Sequence, residues 1–218
     1  MINLPGSDAF NVVLVGSWNP AIFSPEWAKQ NLADDKEKEV VLAIPMQMMA
    51  MPPRLTVDNI NIYPSTQALV LDCVEYSDVV LEVCSRKLDR IAALLPHTPV
   101  TAVGLNFRFL GNLEENLPLA DLFAFSDAGK IDSTKFTLTT ALIKRAYTLQ
   151  DSTVLNISLE SQGGQLRVEF NFHSNIKNLS EITTKTNLAR VQSCRSQAIE
   201  FMKTVYDVQM DNEGETTL

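Results

Sequence analysis

The side chains best equipped for chemistry gather late in the chain. In "TVLNISLES" and "QLRVEFNFH", Asn156, Ser158, Arg167, Glu169, Asn171 and His173 all fall on the polar phase of alternating segments. Arg108 of "NFRF" holds the same phase in an earlier segment. Amides, a carboxylate, guanidiniums and an imidazole on one sheet face are suited to recognising a polar ligand. Arg108, Asn156, Arg167, Glu169, Asn171 and His173 are therefore the candidate ligand-binding residues. Facing bulk water, the same phase would only keep an antiparallel sheet soluble. Convergence of Arg167 and His173 in a closed polar cavity would favour the ligand reading, and with those side chains dispersed in bulk solvent that reading fails.

Signatures of catalysis are weaker. The chain has only two histidines, and His97 follows Pro96 at a helix end, far from His173 and without His-x-x-x-His spacing. Cys73, Cys84 and Cys194 are widely spaced, lack a Cys-x-x-Cys pair and read as free thiols. "LVGSWNP" follows a strand with one glycine but lacks the other glycines of a dinucleotide site and the Gly-Lys-Ser/Thr of a P-loop. "DAGKID" reads as a turn, and no Gly-x-Ser-x-Gly elbow occurs. No cofactor, metal site or catalytic residue is expected.

Two apolar stretches suggest contact instead of chemistry. "GSWNPAIFSPEW" carries Trp18, Ile22 and Phe23 between prolines, as a plug on the core or an anchor for a partner. Phe23 directly precedes Ser24, a helix cap, so it can staple onto Trp27 or Ala28, which makes structural closure the main reading. "MQMMAMPP" contributes Met46, Met48, Met49 and Met51, a soft apolar surface for filling the core or for a subunit contact.

The elements that must position these residues follow from periodicity. "NVVLV" is an early strand, and Ser24, Pro25 and Glu26 start a short helix. Leu55 and Val57 share one phase and Ile60 and Ile62 the other, which predicts a bulge or register change near Asn59. After the "PSTQ" turn, "ALVLDCV" returns as a second strand. Ser77 caps a helix whose apolar stripe is Val80, Cys84, Leu88, Ile91 and Leu95, with Lys87 off the stripe. "VTAVGLNFRFLG" is a strand with Phe107 and Phe109 inward, and a loop-rich stretch with a short helix near "LPLADLFAF" follows. Three alternating segments then form an antiparallel meander, turned at "QGG". A last helix carries Leu188, Val191, Arg195, Ala198, Met202 and Val205, with Cys194 able to replace Arg195 in the core.

The fold class is thus α+β: a mostly antiparallel sheet with two long amphipathic helices packed on one face. The 218 residues read as a single domain. The order of strands then a helix also raises a diverged duplication, with halves 1–111 and 131–208 and a polar tail at 209–218. A net charge of −8 disfavours the basic surface on which nucleic-acid binding depends. No apolar run reaches membrane-spanning length and "MINLPGSDAF" lacks a signal-peptide pattern, so a cytoplasmic location away from membranes is expected. The leading functional expectation is a non-catalytic interaction or assembly module that self-associates or binds a protein partner. The alternative is a small polar ligand-binding protein or enzyme using the polar face of the C-terminal sheet.

Overall fold

A computed structural model describes residues 2–3, 9–44 and 53–208. The chain forms a mixed α+β fold built on one antiparallel sheet. In chain order the elements are β1 (Ile2–Asn3), β2 (Phe10–Gly16), α1 (Pro25–Asn31), β3 (Val41–Ala43), β4 (Arg54–Val57), β5 (Ile60–Pro64), β6 (Ala68–Cys73), α2 (Asp78–Leu94), β7 (Val100–Asn112), α3 (Leu117–Ala120), β8 (Thr140–Thr148), β9 (Val154–Gln162), β10 (Gln165–Asn175), α4 (Ile182–Thr186) and α5 (Leu188–Tyr206). The strands lie in the order β3-β4-β5-β6-β2-β7-β10-β9-β8, and β1 pairs with the far end of β7.

Period-two patterning decides the faces. Phe10, Val12 and Leu14 of β2, Phe107 and Phe109 of β7, and Val168, Phe170 and Phe172 of β10 are all buried. Their alternates, among them Asn11, Asn106, Arg108 and Asn171, are only partly covered. One core joins the buried phase to Val80, Cys84, Leu88 and Ile91 of α2 and to Val191, Cys194, Ala198 and Met202 of α5. Edge-on aromatic contacts run through it, Phe109 to Phe170 and Phe170 to Phe201 of α5 at 5.9 Å each.

The local start and stop signals act as their chemistry requires. Ser24 Oγ accepts from the Trp27 amide at 3.1 Å, Ser77 caps α2 and Asn187 caps α5. Gly163 and Gly164, both with positive φ, turn β9 into β10. Trp18 and Phe23 are buried, Ile22 is partly buried against the core, and the Phe23 and Trp27 rings meet at 5.2 Å. Trp18 Nε1 donates to the Leu14 carbonyl at 3.1 Å. Met46, Met48, Met49 and Met51 lie outside the described residues.

Three sequence expectations need correction. The phase change near Asn59 is no bulge. Asp58 and Asn59 both have positive φ and form a two-residue hairpin turn that pairs Val57 with Ile60. Val205 is exposed at the end of α5, and Tyr206 takes the buried place. Arg195 instead lies 4.7 Å over the Tyr76 ring.

Lys87 is the third. It is fully buried. Its ammonium donates to the Leu32 carbonyl at 2.8 Å and to Asp58 Oδ2 at 2.6 Å. Arg90 also reaches the Leu32 carbonyl at 2.8 Å, and it pairs with Asp34 at the same distance. These contacts tie the end of α1 and the β4–β5 turn to α2. Burial draws the Asp58 carboxyl upward, but the Lys87 ammonium and the Asp34 amide outweigh it and hold its pKa below the usual carboxylate value. For Asp34, likewise, burial is overcome by its bond to Arg86 and the charges of Lys87 and Arg90, and its pKa is lowered. Burial lowers Lys87 from the ordinary lysine value, more than Asp58 restores.

Two carboxyls with depressed folded-state pKa values stabilise the fold above the unfolded value of about 3.9. That stabilisation is lost as pH falls below 3.9 through the folded values. Asp58→Asn keeps a side chain that tolerates the positive φ but leaves Lys87 without its counter-charge. The expected cost is about 3–5 kcal/mol, read from urea unfolding at pH 7. The stability of the variant should also fall less steeply between pH 4 and about pH 2 than that of the parent. A parallel acid profile would mean that the pair is not a source of the acid sensitivity.

Candidate functional site

The most distinctive feature of the sheet is a lateral row of polar side chains. Pairing sets Thr56 opposite Asn61, Asn61 opposite Asp72, and Asp72 opposite Asn11. It then sets Asn11 opposite Asn106, Asn106 opposite Asn171, and Asn171 opposite Asn156. The β8 end of the row is Ala146. Four asparagines bond head to tail: Asn156 Nδ2 donates to Asn171 Oδ1 at 2.9 Å, Asn171 Nδ2 to Asn106 Oδ1 at 2.6 Å, and Asn106 Nδ2 to Asn11 Oδ1 at 2.7 Å. On the other side of Asp72, Thr56 Oγ1 donates to Asn61 Oδ1 at 2.7 Å.

Gly104 makes room for this arrangement. A Cβ there would stand 2.7 Å from Asn171 Nδ2, inside contact distance. The asparagine amide therefore occupies space that any other residue at position 104 would claim.

The row beside the asparagines is charged. Arg108 lies opposite Glu169, Glu169 opposite Ser158, and Ser158 opposite Lys144. Arg108 Nε meets Glu169 Oε1 at 2.9 Å. The two rows floor a groove of about 570 Å³, lined by Asn11, Asn106, Asn156 and Asn171 and by Arg108, Lys144, Ser158 and Glu169. Arg145 also borders it, although its guanidinium reaches Tyr206 Oη at 3.4 Å.

Of the sequence candidates, the groove brings together Arg108, Asn156, Glu169 and Asn171. Arg167 and His173 do not line it. Arg167 is exposed and pairs with Glu160 at 3.4 Å. His173 sits opposite Gly104, with Nε2 3.2 Å from Asn175 Oδ1. Six residues of strand separate the two, about 20 Å at ~3.4 Å per residue. They do not converge, so the ligand reading framed on that pair fails, and what remains is the separate groove over the asparagine row. Sequence reasoning overlooked Asn11, Asn106 and Lys144, although each lies on the polar phase of its segment. Phase was readable, but the register that aligns three distant segments was not.

Among the described residues, no cluster of three or more His, Cys, Asp or Glu side chains is placed to hold a metal ion. No described helix is long and apolar enough to cross a membrane. No protein-family model matches the chain, and no curated protein matches it.

The close approach at Gly104 gives a direct test of the row. Gly104→Ala should displace the Asn171 amide and cost about 1–2 kcal/mol by overpacking. Combined with Asn171→Ala, it should cost less than the two single changes added together, because the clash then has no partner. Urea unfolding of the four proteins measures the coupling, and strict additivity would show that Gly104 does not serve Asn171.

Proposed function

We propose that the protein is a non-catalytic binding module whose polar sheet face holds a small polar ligand in the groove over Asn106, Asn171 and Asn156. The observation that carries this reading is the asparagine row itself. Asparagine is depleted in strands, and threonine or lysine would keep a sheet face soluble at lower cost in β-propensity. Four asparagines in register, bonded into fixed orientations, depart from that local preference just where a groove opens. Departures of this kind concentrate at functional sites.

In the architecture that goes with this reading, the two long helices cover the apolar face and the chain is a diverged duplication. Strand order supports it. β2, β4, β5, β6 and α2 form a unit ordered β4-β5-β6-β2, while β7, β8, β9, β10 and α5 form one ordered β8-β9-β10-β7. The units meet at β2 and β7 and correspond strand for strand. "FNVVLVG" at 10–16 then matches "LNFRFLG" at 105–111, and "INI" at 60–62 matches "LNI" at 155–157. On this reading β7 opens the second unit, and the proposed boundary falls in the α2–β7 connection at 95–99.

A specific observation also favours assembly through a second copy or a protein partner. β8 is the outermost strand, so its outer edge is unpaired among the described strands. Leu142 on it, and Phe136 and Leu138 just before it, are exposed. Exposed edges of this kind pair readily with other chains, while Lys144 and Arg145 on the same strand oppose indiscriminate pairing. The buried Trp18 and Phe23 lend this reading no support.

Thermal unfolding in millimolar sugars, polyols, nucleotides and amino acids distinguishes the readings. A ligand at one hundred times its dissociation constant adds about 2.7 kcal/mol, which is about 5–10 °C in a domain of this size. At least one class should raise the melting temperature in this way, and Asn156→Ala, measured against its own baseline, should lose the rise. No shift in any class, together with an oligomer in sedimentation, would replace ligand binding with assembly.

A further inference from the structure

Resting on the polar-ligand reading, we propose that the groove takes a di- or tripeptide with free ends, its carboxylate beside Lys144 and Ser158 and its ammonium beside Glu169. The charged row supplies the first argument. Across three adjacent strands it runs Lys144, Ser158, Glu169: a cation, a hydroxyl and an anion. Lys144 is exposed and makes no hydrogen bond or ion pair among the described residues, so it is available to an anionic group. Glu169 bonds Arg108 through Oε1, and a carboxylate has lone pairs for a further donor. Lys144 and Glu169 stand two strand spacings apart, about 9.6 Å between backbones. An extended dipeptide separates its ends by about 7 Å, a span that side chains leaning inward can meet.

The asparagine row supplies the second argument. Asn156 on β9 lies between the strands of Lys144 and Glu169 and spends one N–H on Asn171, and Asn171 spends one N–H and one oxygen lone pair on its neighbours. Each keeps a second N–H and at least one lone pair. A donor and an acceptor side by side complement a peptide group, which offers one C=O and one N–H. The free ends would therefore be held by the charged row and the peptide bond by the amide row.

The duplication supplies the third. Its strand correspondence sets Arg54, Tyr63, Val70 and Val13 against Lys144, Ser158, Glu169 and Arg108, and Asn61, Asp72 and Asn11 against Asn156, Asn171 and Asn106. Both units thus keep a cation on the outer strand, while only the second carries Glu169 and Arg108, and the groove lies mainly over that second unit. A row needed only for solubility has no reason to place an anion in one unit and valine in the other.

Titration of the ¹⁵N-labelled full chain with alanylglutamine, and with the same dipeptide N-acetylated and C-amidated, tests the proposal. The free dipeptide should give saturable amide shifts in β8, β9 and β10, and the blocked form should bind at least tenfold more weakly. Lys144→Gln and Glu169→Gln should each weaken the free dipeptide about tenfold and leave the blocked form unchanged, with circular dichroism confirming the fold of each variant. Equal binding of free and blocked forms, lost in Asn156→Ala, would overturn the charged-end assignment and leave polar-ligand binding intact. No shift with either peptide would also overturn it, while a thermal shift with a sugar, polyol or nucleotide would still uphold the broader reading.

Discussion

Asn11 stands opposite Asn106, and the rest of the sheet is counted outward from that pair. β2 and β7 are the central strands; β2 carries β6, β5, β4 and β3 on its other side, and β7 carries β10, β9 and β8. Because side chains alternate with period two, sliding β2 by one residue would bring Phe10 and Val12 to the polar face and Asn11 to the core. Burial of Phe10 against Phe107, with ring centroids 5.0 Å apart, fixes the register from one side. The bond from Asn106 to Asn11 fixes it from the other. The apolar contact supplies stability, and the amide contact rejects alternatives that would leave a polar group unsatisfied.

A second constraint acts where α1 and the β4–β5 turn meet α2. Lys87 projects into the space between α1 and the β4–β5 turn, where its ammonium is fully removed from water. Such a group is tolerated only when its charge and its protons find partners. Asp58 and the Leu32 carbonyl provide them, and Asp58 can do so because the tight turn holds it in a left-handed conformation facing α2. A similar tie forms where Arg190 of α5 bonds Asp151 and Thr153 in the β8–β9 connection. Ties of this type link α2 and α5 to turns between strands.

Function, as proposed, resides on the polar phase of the strands. An antiparallel sheet with a solvated face needs only polar side chains there, and much of this phase, including Arg167 with Glu160, fits that modest role. The asparagine row and the Arg108–Glu169 pair beside it are the exception, because neighbouring side chains fix their orientation. Fixed donors and acceptors lose little freedom when a ligand binds, which is the advantage of a preorganised site.

Periodicity alone determined most of the elements. The alternation in "TAVGLNFRF" and "QLRVEFNFH", the caps at Ser24 and Ser77, and the glycine turn at 163–164 are local properties, and they appear where the sequence places them. Four of the six candidates line the groove for the same reason, since phase assigns a side chain to a face. What phase cannot assign is lateral position. Asn11, Asn106, Asn171 and Asn156 come from four strands, with up to 160 residues of chain between them, and only pairing register makes them neighbours. Register also separated Arg167 and His173, which share a face but not a row. Lys87 shows the same division of labour. Its helical position resembles that of an exposed lysine, and only the tertiary approach of Asp58 and Leu32 makes its burial affordable.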